Sequence, residues 1–318
     1  MTWFDGFEEQ AFEVNGATIQ ARVSPRRMGQ TRKPALLLLH GFPQSHVMWQ
    51  RMATRLAPHF ELVMPDLRGY GDSSKTPGLP DHSNYSKRNM ATDMAGVMNA
   101  LGISVFGVCG HDRGGRVAHR LALDHPARVN RLCVIDIAPT LDMYEGRSLT
   151  APYMEFARAY YHWFHMIQPA PLPEITMGST HPELAKAYLH AKLGGWGSQG
   201  LAYLEPAALA EYERCFCKPE TLHTICEDYR ASAGIDLVHD RESRERGQRV
   251  LCDLLVLWGE RGVVHRLFDP LALWRVQCEG RVSGQAMPAG HFIPEELPEA
   301  TAEALLAFFG EANADPRI

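Results

Sequence analysis

Gly110-His111-Asp112-Arg113-Gly114-Gly115-Arg116 follows an apolar run at residues 105–109 and leads into helical spacing at residues 116–124. A strand that turns sharply through glycines into a helix lifts one side chain clear of the sheet, the shape of a nucleophile elbow. Such elbows usually carry Ser; here the central position, Asp112, is a carboxylate. A serine oxygen attacks carbonyls, whereas an aspartate attacks saturated carbon by displacement and becomes an alkyl ester. Glycine-rich strand-to-helix turns also bind phosphate, but no Lys-Ser or Lys-Thr follows this one, which argues against a nucleotide loop.

An ester on Asp112 needs a base to hydrolyse it. His291, in Ala289-Gly290-His291-Phe292, follows the last weak apolar run, and Asp136 stands at the end of the run at residues 132–137. Nucleophile, acid and histidine then occur in a chain order that triads adopt. Asp136 is the preferred acid and Glu260, after the run that ends at Trp258, its competitor; helix-cap or loop carboxylates are the plainer reading of both. His40-Gly41-Phe42-Pro43 follows the first central strand, so the amides of Phe42 and Arg113 are the expected oxyanion donors. Arg113 and Arg116 lie one helical turn apart. Two guanidinium groups would keep Asp112 ionised and grip a carboxylate with their forks, which points to a small anionic substrate; a surface pair in salt bridges is the alternative. Asp66, Arg68, Gly69, Gly71 and Ser73 form a polar turn read as structural.

The elements that must hold these residues follow from periodicity. Residues 10–24 alternate around Asn15-Gly16, a hairpin signal. Apolar runs at 34–39, 60–64, 105–109, 132–137, 251–257 and, weaker, 281–286 predict strands. Helical spacing at 90–101, 116–124, 268–278 and 300–309 falls between several of them. This alternation predicts an α/β fold with a mostly parallel central sheet flanked by helices. It stops between about 140 and 240, an aromatic-rich stretch with helical character, and resumes at Val250. We therefore expect a core of residues 1–139 and 246–318 and an inserted helical cap at 140–245.

Composition narrows the function classes. The 318 residues carry 32 Lys plus Arg against 37 Asp plus Glu, a net charge of −5, with 45% hydrophobic residues. That balance excludes a disordered chain and gives no reason to expect nucleic acid or membrane as partner. No run approaches the roughly 20 apolar residues of a membrane span, and the acidic first ten residues do not resemble a secretory signal. Seven cysteines, an odd number, suit buried thiols in a reducing, cytoplasmic setting; Cys215-Phe216-Cys217 matches no metal site.

Taken together, these motifs resemble the fluoroacetate dehalogenase (haloacetate dehalogenase) family of the α/β-hydrolase fold. The likeness runs from about Phe12 to Phe309. It includes His40-Gly41-Phe42-Pro43-Gln44-Ser45-His46, the Asp112 elbow, Tyr161-His162-Trp163, Gln168-Pro169-Ala170-Pro171, Cys226-Glu227-Asp228-Tyr229-Arg230-Ala231 and Gly290-His291-Phe292. Related haloalkane dehalogenases and epoxide hydrolases typically carry Trp after the nucleophile, where this chain has Arg113. The resemblance implies Asp112 as nucleophile, His291 as base, Asp136 as its orienting acid, and Arg113 and Arg116 on the substrate carboxylate. It implies His162, Trp163 and Tyr229 as halide donors and Trp196 as a pocket wall, no metal or organic cofactor, and a homodimer. Met143 stands where some relatives keep a supporting Tyr. Two other readings stay open: an epoxide hydrolase using Tyr161 and Tyr229, and a noncatalytic ligand-binding member of the fold.

Overall fold

Leu36, Leu37, Leu38 and Leu39 have no exposed surface. A stretch apolar on both alternating sides forms a strand covered on both faces. It belongs to the third of eight strands in the computed structural model, which describes residues 3–25, 32–146 and 149–310. The strands are β1 (Glu8–Val14), β2 (Ala17–Val23), β3 (Ala35–Leu39), β4 (Glu61–Pro65), β5 (Phe106–His111), β6 (Val129–Ile135), β7 (Asp253–Gly259) and β8 (Val282–Met287). They form one sheet in the order β1-β2-β4-β3-β5-β6-β7-β8. From β4 to β8 all pairs are parallel, and β1 and β2 run antiparallel along one edge. Asn15 at φ 48° and Gly16 at φ 72° make the two-residue turn between β1 and β2, as the Asn-Gly pair predicts.

Several boundaries shift, each for a visible reason. β5 and β7 begin after Val105 and Leu251, which are about half exposed and add nothing to the core. β6 ends at Ile135 because Asp136 turns the chain at φ 51°. The helix after β5 spans Arg113–Asp124 and starts directly at the elbow; Gly114 and Gly115 hide the apolar periodicity of its first turn.

Between β6 and β7 the described residues form eight helices and no strand: Thr140–Glu145, Tyr153–Ala159, Tyr161–Met166, Leu172–Thr176, Pro182–Leu193, Pro206–Phe216, Pro219–Ala233 and Ile235–Glu245. This insertion reaches the ends of the central strands: His162 stacks on Phe42 with ring centroids 6.0 Å apart, and Trp196 meets His291 edge-on at 5.1 Å. The carboxyl ends of parallel strands are where open α/β sheets bind ligands, and the cap closes over that edge. No helix among the described residues is long and apolar enough to cross a membrane.

Candidate active site

Asp112 follows β5 with φ 47° and ψ −115°, a conformation that L-residues adopt at a cost of about 1–3 kcal/mol. Close packing holds it there. A Cβ on Gly110 would stand 2.3 Å from the carbonyl of Gly114, and one on Gly114 would stand 2.3 Å from the carbonyl of His40. Strand, elbow and helix thus interlock through backbone contacts that only glycine permits.

The Phe42 amide donates to Asp112 Oδ1 at 3.0 Å. Of the two expected oxyanion donors, it is the one that reaches this carboxylate; the Arg113 amide makes no hydrogen bond to it. Oδ2 faces Nε2 of His291 at 3.9 Å. His291 Nδ1 lies 2.5 Å from Asp136 Oδ2, and Asp136 Oδ1 accepts from the amide of Gly259 at 3.0 Å. Asp136, rather than Glu260, is the acid brought to His291: Glu260 is exposed and pairs with no histidine among the described residues. Burial lowers the proton affinity of His291, but the hydrogen bond and charge of Asp136 outweigh it and raise the pKa above its ordinary value. Burial pushes Asp112 up, while the charges of His291, His111, Arg113 and Arg116 more than reverse that and hold its carboxyl below the usual range.

His111 was not anticipated from sequence. It is fully enclosed, its ring centroid 4.6 Å from that of His291, and its Nε2–H donates to the His291 carbonyl at 2.9 Å. Burial and the neighbouring His291 charge lower its pKa to about 3, so it holds the His291 backbone without adding a second cation. Its place directly before the nucleophile was the available signal.

Arg113 departs from expectation. Rather than offering a free fork, its Nε and Nη2 grip the Asp228 carboxylate at 2.8 and 2.7 Å, with the guanidinium 4.2 Å over the Tyr229 ring. Asp228 was missed, although it sits beside Tyr229 in a quoted motif; the contact spans 115 residues of sequence. Arg116 is buried and makes no ion pair among the described residues. Its Nη1 meets Thr140 Oγ1 at 2.9 Å and the Ala138 carbonyl at 3.4 Å, Nη2 meets Met143 Sδ at 3.2 Å, and Nε has no partner. Met143 therefore lies on Arg116, and Tyr144 stacks on Trp163 at 4.6 Å.

His162, Trp163 and Tyr229 are all buried. His162 lies 5.7 Å from Tyr229 and 6.4 Å from Trp163 between ring centroids. Among the described residues, His162 Nδ1 is enclosed without a partner. Burial, then the charges of Lys192 and Arg113, drive the His162 pKa well below its ordinary value, so the ring is neutral. Trp196, at φ 51°, sits 4.9 Å from His162; its indole donates to the Ala159 carbonyl and its own carbonyl accepts from the His291 amide at 3.1 Å. Gly290 packs so tightly here that a Cβ would stand 2.4 Å from the Ser198 amide nitrogen. Tyr161, offered for epoxide protonation, is half exposed and covers Lys192 Nζ at 3.9 Å. The polar turn reads as expected: Asp66 takes the amides of His46 and Asp72 at 2.8 and 2.9 Å. Among the described residues Asp72, Glu211 and Cys215 cluster as metal ligands would, but Arg214 already bridges Asp72 and Glu211 at 2.5 Å each.

A nucleophile elbow after a central parallel strand, an acid after the next strand and a histidine after the last define an α/β-hydrolase, and that family matches residues 34–169. Over 311 residues the chain is 41% identical to the fluoroacetate dehalogenase of Burkholderia sp, covering 98% of this chain and 96% of that one. The chain belongs to the fluoroacetate dehalogenase family of α/β-hydrolases. It is also 30% identical over 283 residues to the soluble epoxide hydrolase of Corynebacterium sp. (strain C12), covering 86% of this chain and 89% of the other. Among solved structures, a protein from Nostoc sp PCC 7120 assigned as an α/β hydrolase superposes with TM-score 0.88 at 48% identity, covering 96% of this chain and 99% of that one. A mutant Pseudomonas aeruginosa protein assigned as an epoxide hydrolase, with bound MFA, gives 0.86 at 37% identity, covering 99% of each chain.

Proposed function

We propose that this hydrolase removes halide from short 2-haloacids such as fluoroacetate, giving glycolate. The observation that carries the reading is Arg116, a buried cation one helical turn from Asp112 with no carboxylate of its own. Enclosing an unpaired charge is expensive unless a counterion arrives, and a substrate carboxylate supplies one. The 41% identity to a fluoroacetate dehalogenase supports the same substrate class.

Asp112 Oδ2 attacks the α-carbon and the C–X electron pair leaves with the halide, forming a carboxymethyl ester. His162, Trp163 and Tyr229 donate to the departing ion as its charge develops in the transition state, which counts most for fluoride, whose bond to carbon is the strongest of the halides and which accepts hydrogen bonds best. His291 Nε2 then takes a proton from water; the hydroxide attacks the ester carbon of Asp112, and the negative charge on Oδ1 rests on the Phe42 amide. Collapse breaks the Asp112 Cγ–Oδ2 bond, the departing oxygen of glycolate takes the proton back from His291 Nε2, and Asp112, now holding one oxygen from water, loses the remaining proton to solvent to restore the carboxylate. Asp136 fixes the His291 tautomer and supports its positive charge. No cofactor enters these steps. The seven free cysteines, five of them buried, favour a reducing, cytoplasmic setting. A second copy of the chain, resting on exposed cap residues such as Tyr153, Met154 and Leu172, is the proposed partner.

Halide release from matched fluoro-, chloro- and bromoacetate, read with ion-selective electrodes, tests the reading. Diol formation from epoxides without any halide release would overturn it.

A further inference from the structure

The two arginines beside the elbow do different work. Arg113 has five N–H bonds in a rigid plane. Asp228 takes Nε and Nη2 through its carboxylate, and Nη2 also meets the Asp228 carbonyl at 3.0 Å and Ser232 Oγ at 2.5 Å. Nη1 is enclosed and has no protein acceptor among the described residues. Tyr229 closes one face of the guanidinium. Asp228 is itself held: Tyr70 Oη donates at 2.7 Å, and the Lys87 ammonium contacts its other oxygen while facing Asp236 at 3.5 Å. Arg113 and Lys87 against Asp228 and Asp236 leave this enclosed cluster without net charge. Among the described residues Arg116 has only a hydroxyl, a carbonyl, a thioether and, 5.1 Å away, the ring of Trp163.

Resting on the haloacid reading above, we propose that Asp228 is a positioning residue: it turns Arg113 so that Nη1 alone meets the substrate carboxylate, and it leaves Arg116 as the cation that selects that carboxylate. Arg113 then sets where the α-carbon sits relative to Asp112, while Arg116 sets whether an anion binds. Displacement needs the attacking oxygen in line with the C–X bond, and a small misplacement of bound substrate slows the step steeply. Removing the Asp228 charge leaves more positive charge near the carboxylate, so binding persists while direction is lost. Removing the Arg116 charge does the reverse.

The test uses the full chain with His291→Ala as parent, so that the ester accumulates and is read by intact mass after mixing with chloroacetate; propionate binding is read by calorimetry. Adding Asp228→Asn is expected to slow alkylation by about tenfold or more while propionate affinity changes less than about threefold, and Asp228→Glu should recover part of the rate. Arg116→Gln should weaken propionate by about thirtyfold or more. Alkylation of Asp228→Asn at the parental rate, or a smaller folded fraction that still alkylates at that rate, overturns the positioning role. If Asp228→Asn does not fold, Ser232→Ala removes a milder acceptor from the same nitrogen; it should slow alkylation about two- to fivefold at unchanged propionate affinity, and a parental rate overturns the proposal. A parent that binds propionate but never takes up the carboxymethyl group defeats the haloacid reading itself.

Discussion

Phe42 donates its amide proton to one oxygen of Asp112 across 3.0 Å, which makes the two oxygens of that carboxylate unequal. The bonded Oδ1 is prepared to become the oxyanion, and Oδ2, facing His291, is the one free to attack. A single turnover in H₂¹⁸O with enzyme in excess should therefore place the label in Asp112 and leave the first glycolate unlabelled. Peptide mass spectrometry across residues 106–120 reads this directly. Label in the first product instead would mean that water attacks the α-carbon.

The two chemical steps should respond differently to pH. Alkylation needs Asp112 ionised, and its carboxyl lies below the usual range, so the step should stay active well into acid. Hydrolysis needs His291 neutral, and its pKa lies above the ordinary 6.5. In the ester the Asp112 charge is gone but Asp136 still favours the protonated ring, so ester breakdown should rise with pH as His291 loses its proton and then level. Asp136→Asn removes the main cause of that elevation; the midpoint should fall and hydrolysis should slow by about 10³-fold or more. Rapid-quench measurement of the two phases checks both, and an unmoved midpoint would exclude Asp136 as the cause.

His162 carries an imidazole kept neutral by its surroundings, with an enclosed nitrogen that no protein group among the described residues meets. His162→Phe keeps the stacking on Phe42 but removes the donor. Fluoroacetate turnover should fall by about 10²-fold, and bromoacetate turnover by less than about tenfold, since the weaker hydrogen-bond acceptor leaves more easily. Equal losses for both halides, measured by electrode, would assign His162 to packing alone.

Glu295 lies between three elements, accepting from Tyr212 Oη at 2.9 Å and from the Gln44 amide, four residues after His291. Burial pushes its pKa up to about 8 against an ordinary 4.5. The folded chain thus keeps a proton that the unfolded chain loses above 4.5. Its contribution to stability is complete below 4.5 and lost as pH rises towards 8. Gln44 Oε1, enclosed without a partner, would accept that proton if the amide were turned over. Glu295→Gln should flatten the fall of Tm between pH 5 and 8.5 by on the order of 5 °C. Parallel profiles for the two proteins would contradict this.

What the sequence disclosed was what lies close in the chain or follows a rule of order. Residues 110 to 116 are contiguous, and the packing that requires their glycines is local, so the elbow was legible. Asp136 and His291 could be placed because strand ends are marked by apolar runs that stop. The partner of Arg113 was not legible. A guanidinium one residue from a nucleophile reads as substrate-facing, and only tertiary packing brings Asp228 to it. His111 was hidden differently: its place at the end of β5, directly before the nucleophile, marks it, but no local pattern says that it supports the histidine 180 residues away.

The carbonyl of Trp196 holds the amide of His291, and Gly290 leaves no room between the two segments. Swinging the cap aside as a rigid door would pull the proton acceptor off its station, so a gaping enzyme would be an idle one. Traffic of acid, halide and water must instead pass by side chains stepping out of the way while the frame stays shut, and turnover should be governed by those small movements.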